Sequence, residues 1–244
     1  MHTQSLNIRN AMMASLMACL LILGGCATTG SSLLGKDSVQ ADPRLSQGND
    51  AKFFSKSGYQ ACAVGALTGA LGCLASNSSN KAICAIAAGI ATCGVAMGAN
   101  YYLDYRRSEY ANTSERLNAM TKDVEKDTAK VVARTDTAMA VIRDDKEKIS
   151  RIKREVATKQ VDQEKAKKEI AVIDKNLEVM SRDVDNMKDS ITQYKDVAKS
   201  ERAAGNNAEV KKLDREIQKM GKKVALLERE VDELYTQRSA ITLG

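Results

Sequence analysis

The stretch Ile191-Thr-Gln-Tyr194-Lys-Asp-Val-Ala198-Lys-Ser-Glu-Arg-Ala-Ala-Gly205-Asn206-Asn207-Ala-Glu-Val210-Lys-Lys-Leu213-Asp-Arg-Glu-Ile217 decides the fold of this chain. On either side of Gly205 the apolar residues recur alternately three and four apart, the period of a coiled-coil seam. The period does not run through Gly205-Asn206, so the two seams belong to two helices. Pairing Ala198 with Leu213, Tyr194 with Ile217, Ile191 with Met220, Met187 with Val224, Val184 with Leu227 and Leu177 with Leu234 keeps the sum of residue numbers constant. Antiparallel neighbours require that, so 203–207 is expected to be the turn of an antiparallel helical hairpin. Gly205 can supply the left-handed residue that ends the first helix, and Asn207 can cap the second.

The first seam reaches back from Ala198 through Ile173, Ile170, Ala166, Ile152, Ile149, Ile142 and Val131 to Thr121, with only Asp145, Lys159 and Gln163 strongly polar. From Asp104 onward the chain holds 31 Lys/Arg and 28 Asp/Glu and no Phe, Trp or Pro. That is too polar for an ordinary globular core, but good helix formers run through it with nothing to break them. The expectation is an all-α fold, with a long coiled-coil helix over 104–202, a turn at 203–207 and a returning helix over 208–244. The returning helix is too short to cover 121–166. That part of the seam is therefore expected to pair with a second copy or with another envelope protein. A fold-back near Val161, where Lys159 and Gln163 weaken the seam, is the alternative. No Gly, Pro or turn cluster marks such a bend, so the continuous helix is preferred.

Residues 60–103 read differently. Two uncharged runs, Ala61–Ala75 and Ala82–Ala99, flank the turn-forming Ser76-Asn-Ser-Ser-Asn-Lys81. Gly65/Gly69 and Gly94/Gly98 place small residues four apart, a spacing that lets two helix backbones approach closely. The pattern resembles the glycine-zipper hairpins of bacterial envelope proteins. Tyr101, Tyr102, Tyr105, Arg106 and Arg107 follow the second run as interfacial anchors would. Two outcomes stay open, a compact soluble or membrane-surface hairpin and oligomeric insertion into the membrane. Cys62, Cys73, Cys84 and Cys93 form an even set, which suggests two disulfides in an oxidising compartment. Within one helix Cys62 and Cys73 would be ~16 Å apart, beyond bonding reach. The antiparallel hairpin favours the nested pairs Cys62–Cys93 and Cys73–Cys84. Against this, Cys84 and Cys93 would point to opposite faces of a regular helix, so cysteines acting only as small packing groups also stays open.

At the N-terminus, Arg9 precedes the uncharged apolar run Ala11–Leu23, which is too short to span a bilayer and suits a secretory signal over 1–25. Leu23-Gly24-Gly25-Cys26 resembles the bacterial lipobox. The resemblance implies cleavage between Gly25 and Cys26, acylation of Cys26 and a lipid anchor in the membrane. Ala27, standing where Asp would retain the protein in the inner membrane, implies the outer membrane, with the chain facing the periplasm. Residues 26–59 carry Pro43 and many Ser, Gly and Asp without sustained periodicity, and are expected to be a flexible tether.

Little here suggests catalysis. The sole histidine, His2, lies in the signal, which excludes His-based relays and His-ligated metals from the mature chain. Gly30-Ser-Ser-Leu-Leu-Gly35-Lys36-Asp37 approaches a phosphate loop but lacks its Ser/Thr and its flanking strand and helix. Alternating charges with no aromatic platform or basic block argue against nucleic acid. No catalytic residue, metal ligand or cofactor is expected. The reading is a non-enzymatic envelope lipoprotein, a membrane-tethered coiled-coil scaffold or partner-binding arm. The alternative is a membrane-active glycine-zipper oligomer.

Overall fold

The structure, a computed structural model, describes residues 39–54 and 93–243. Every regular element among the described residues is helical. A 3-10 turn at Pro43–Leu45 leads into α1 (Gly48–Phe54). A second 3-10 turn at Gly94–Met97 leads into α2 (Ala99–Glu109), followed by α3 (Thr113–Ala157), α4 (Gln163–Ala203) and α5 (Asn207–Ser239). The described residues from Gln40 onward belong to one compact unit.

The all-α class, the long helices and the hairpin closing at 203–207 are as the seam implied. Gly205 adopts φ 92°, the left-handed conformation that ends α4. The cap of α5 is Asn206 rather than Asn207, and its side chain donates to Glu201 Oε2 at 2.9 Å instead of closing the helix start. Three ion pairs fix the antiparallel register of α4 and α5: Asp174–Arg238 at 2.7 Å, Lys188–Glu228 at 2.7 Å and Arg202–Asp214 at 2.5 Å.

The expected continuity of 104–202 is corrected. One break falls at 110–112, where Tyr110 turns extended and Asn112 Oδ1 accepts from the Glu115 backbone N–H at 3.1 Å to start α3. The larger break is the fold-back near Val161. Lys159 takes φ 55°, its N–H donates to Val156 O at 3.1 Å, and the Gln160 N–H reaches back to Glu155 O at 2.9 Å. This is the Schellman arrangement with a lysine where glycine is usual. Asp162 then caps α4 by accepting from the Lys165 N–H at 3.1 Å. The bend was hard to read because the left-handed residue is not a glycine, and a uniform heptad pattern is compatible with reversal anywhere.

That reversal also corrects the expectation of an unfilled seam. Ile142, Ile149 and Ile152 are 2%, 1% and 0% exposed within a single chain. α3 and α5 run parallel, tied by Lys146 to Glu230 at 2.9 Å and to Glu233 at 3.0 Å. Both pack on the antiparallel α4. Each fully buried Leu or Ile in this seam contributes roughly 1.5–3 kcal/mol of apolar burial.

The three long helices bury different widths. α5 buries Val210, Leu213, Ile217, Met220, Val224, Leu227, Val231 and Leu234, two residues per heptad. α3 and α4 bury a third, the residue just before each first seam position. It is Met120, Asp127, Arg134 and Val141 in α3, and Asn176, Asp183, Ser190 and Val197 in α4. A wider stripe means a further layer. That layer is made by residues 40–54 and 93–109, which pack on α3 and α4 through Leu45, Phe54, Val95, Met97, Tyr102 and Leu103.

Candidate functional site

The groove between α3 and α4 is the chemically distinctive part of the described molecule, because it holds most of the buried charge. Flexibility was expected over 26–59, but 40–54 is a strap fixed in this groove. Leu45 and Phe54 are 2% and 1% exposed. Their burial leaves strap backbone groups needing partners, since an unpaired buried amide is costly. The groove provides them. Asn176 Oδ1 accepts from the Asp42 N–H at 2.6 Å, Arg134 donates to Leu45 O at 2.7 Å, and Asn186 Nδ2 donates to Phe54 O at 2.8 Å. Phe53 packs edge-on to Phe54, and the Lys130 ammonium sits 3.9 Å above the Phe53 ring.

Two of the strap-holding side chains, Asn176 and Arg134, are themselves held. Asn176 Nδ2 donates to Asp145 Oδ2 at 2.7 Å, and Lys148 pairs with Asp145 at 2.9 Å, so the one acidic seam residue of α3 is neutralised inside the core. Arg134 Nε donates to Asp183 Oδ2 at 2.7 Å, and both residues are 1% exposed. Burial pushes the Asp183 carboxyl above its usual range, against the pull of Arg134 and Arg182.

Gly94 also lies in the groove, against Asp127 and Tyr194. Gly94 adopts φ 56°, and a Cβ there would stand 3.0 Å from Asp127 Oδ2, so both conformation and space demand glycine. Asp127 accepts from the Tyr194 hydroxyl at 2.7 Å and pairs with Lys130 at 2.9 Å. Tyr194 meets Tyr102 edge to face at a centroid distance of 5.9 Å, and the Tyr102 hydroxyl donates to Asp123 at 2.5 Å. Burial, then the neighbouring carboxylates, push both phenols well above their ordinary range. At the α4–α5 end, buried Glu201 pairs with Arg116 at 3.0 Å and Arg107 at 3.1 Å. Burial pushes this carboxyl up, but the two guanidiniums outweigh it and hold it below its usual range.

The expected site residues fall as follows. Gly25, Cys26, Cys62, Cys73 and Cys84 lie outside the described residues, as does the pairing expected among the cysteines. Cys93 is disulfide-bonded. Gly94 and Gly98 do not form a helical small-residue groove. Both have positive φ, and Gly98 at 110° ends one turn and begins α2. Nor do the flanking residues form a free interfacial belt. Tyr102 is buried, Tyr105 donates to Glu109 at 2.8 Å, and Arg106 and Arg107 are drawn onto Asp123 and Glu201. Tyr101 is 59% exposed, and Arg107 stays exposed although it is paired.

Sequence reasoning missed the strap and the polar residues that hold it. The signal was present as a third heptad position carrying Asp127, Arg134, Asn176 and Asp183, where a two-helix coil would place solvated charges. Among the described residues no group of His, Cys, Asp and Glu is arranged to hold a metal, and no helix is long and apolar enough to cross a membrane. No protein-family model, curated protein or solved structure matches the chain.

Proposed function

We propose that this chain is a non-enzymatic envelope lipoprotein, anchored through acylated Cys26 to the outer membrane and acting in the periplasm as a rigid helical scaffold. The observation that carries this reading is the strap. Arg134, Asn176 and Asn186 grip its backbone, so a pull on the N-terminal side is delivered to α3 and α4 rather than lost in a slack linker. The buried charged groups of the groove are engaged in holding this layer, which leaves them an architectural role. A partner of the scaffold would dock on the outer helix faces, because the seam over 121–166 is filled by the chain itself.

The membrane-active alternative rests on 60–103, of which 93–103 is described. There Val95, Met97 and Tyr102 are committed to the bundle, which favours the scaffold. Metabolic labelling with palmitate tests the anchor. Wild-type protein should label and mature, while Cys26→Ser should remain an unlabelled precursor. Equal labelling of both would remove the basis of the proposal.

A further inference from the structure

Charge is distributed unevenly along α5. Residues 211–223 hold six Lys/Arg (Lys211, Lys212, Arg215, Lys219, Lys222, Lys223) and two Asp/Glu, whereas 224–239 hold two Lys/Arg and four Asp/Glu. All six cations are exposed. Their spacing puts them on the side opposite Val210, Leu213, Ile217, Met220 and Val224, which face the core. Of the two acids of this half, Asp214 is balanced by a cation outside the stripe, while Glu216 offsets one cation within it, which leaves an excess of five. Asp214 pairs with Arg202 of α4 at 2.5 Å, and Glu216 with Lys219 at 2.7 Å. Lys195 extends the patch. It lies on the same edge of α4 as Lys188 and Arg202, one heptad from each, and both of those reach across to α5. An ordinary solvated helix face alternates in sign. The first half of α5 does not.

We infer that the outer face of α5 over 211–223 is a docking surface for an anionic phospholipid bilayer. The stripe spans about 18 Å at 1.5 Å per residue, long enough to meet several headgroups at once. Five of its six cations are lysines, compact point charges suited to delocalised attraction rather than to the bidentate grip on one group that arginine provides. The patch has no aromatic residue on which bases could stack, unlike a surface for single-stranded nucleic acid. Because the apolar face of α5 is buried in the bundle, attachment is electrostatic and peripheral, and it weakens steeply with salt. The inference rests on the lipoprotein reading only for what brings the bilayer within reach. Docking by this face would lay the bundle along the membrane instead of leaving it to project.

The test uses residues 26–244 with Cys26→Ser in every sample, so lipid modification plays no part and a negative result leaves the lipoprotein reading standing. Cosedimentation is measured with vesicles of phosphatidylcholine alone and with vesicles containing phosphatidylglycerol. Binding should appear on the anionic vesicles and fall about tenfold or more between low and moderate salt. The stripe variant Lys212→Gln/Arg215→Gln/Lys219→Gln/Lys222→Gln should lose at least about tenfold in affinity. The variant Lys153→Gln/Lys159→Gln/Lys165→Gln/Lys168→Gln removes the same charge from the α3–α4 end and should keep most of the binding. All substituted residues are exposed, and unchanged helicity by circular dichroism confirms that both variants fold. Equal losses in the two variants, salt-independent binding to neutral vesicles, or binding to a soluble acidic polysaccharide but not to vesicles would each overturn the assignment.

Discussion

α5 and the α3–α4 groove solve the same packing problem with opposite materials. α5 shows the bundle a narrow stripe of Val, Leu, Ile and Met, with little polar surface to satisfy. The groove shows the strap layer a stripe in which Asp127 and Arg134 stand between Met120 and Val141 on α3, and Asn176, Asp183 and Ser190 precede Val197 on α4. The difference follows from what each surface meets. A helix arrives with its backbone hydrogen bonds already made, so apolar side chains suffice to bind it. The strap is built of short helical turns and arrives with amides and carbonyls unpaired at their ends, so the surface receiving it must supply donors and acceptors. Among the described residues, the buried charge of the groove therefore marks where the ends of short turns are held.

The largest effect should come from placing a charge in the apolar half of the comparison. Leu227→Asp removes a fully buried side chain and strands a carboxylate among Val, Leu and Met. The lost burial of roughly 1.5–3 kcal/mol plus the desolvation cost should abolish cooperative unfolding of the compact unit, read by urea titration. Retention of wild-type stability would mean that α5 does not close the seam.

Next comes the polar half. Asp183→Leu leaves Arg134 buried without its counter-ion and should cost about 3–5 kcal/mol. The double variant Arg134→Met/Asp183→Leu should regain most of that stability, since an apolar pair of similar volume is tolerated. It should not regain the strap, because Leu45 O has lost its donor. Trypsin cleavage after Arg44 should accordingly be faster in the double variant than in wild type. A double variant with a protected strap would show that Leu45 and Phe54 hold it without help.

Acid should act at the Glu201 end of α4 rather than on the apolar face of α5. The native pKa of Glu201 lies below its unfolded value, so the stability it contributes is present above the unfolded value. That contribution is lost as pH falls through the native one. Stability measured on the acid side of the ordinary carboxylate range should decline less steeply in Glu201→Gln than in wild type. Parallel declines would assign the acid sensitivity to other carboxylates.

The smallest effect belongs to the bend joining the two helices of the groove. Lys159 occupies a left-handed position that costs a non-glycine residue roughly 1 kcal/mol, partly offset by the greater freedom of glycine in the unfolded chain. Lys159→Gly should raise the unfolding midpoint by a degree or a few, about what 0.5–1 kcal/mol produces in a unit of this size. A lower midpoint would show that the lysine side chain stabilises the turn.

The sequence by itself determined the helical class, the α4–α5 hairpin and its register. Apolar spacing at Ala198, Tyr194, Leu213 and Ile217 reports directly on a helix-to-helix seam, and Gly205 marks its turn. Tertiary structure alone decided three things. It chose reversal at 158–162 over a continuous helix, because Ile142, Ile149 and Ile152 gain burial within the chain at the modest expense of one left-handed lysine. It turned 40–54 from an apparent linker into a fixed layer, because Leu45 and Phe54 are too few to announce a core element yet enough to fill a groove already built. It also gave Asp127, Arg134, Asn176 and Asp183 their roles, since a polar residue at a heptad edge reads the same whether water or a strap backbone lies against it. Periodicity encodes which side of a helix is covered, and only the assembled fold encodes what covers it.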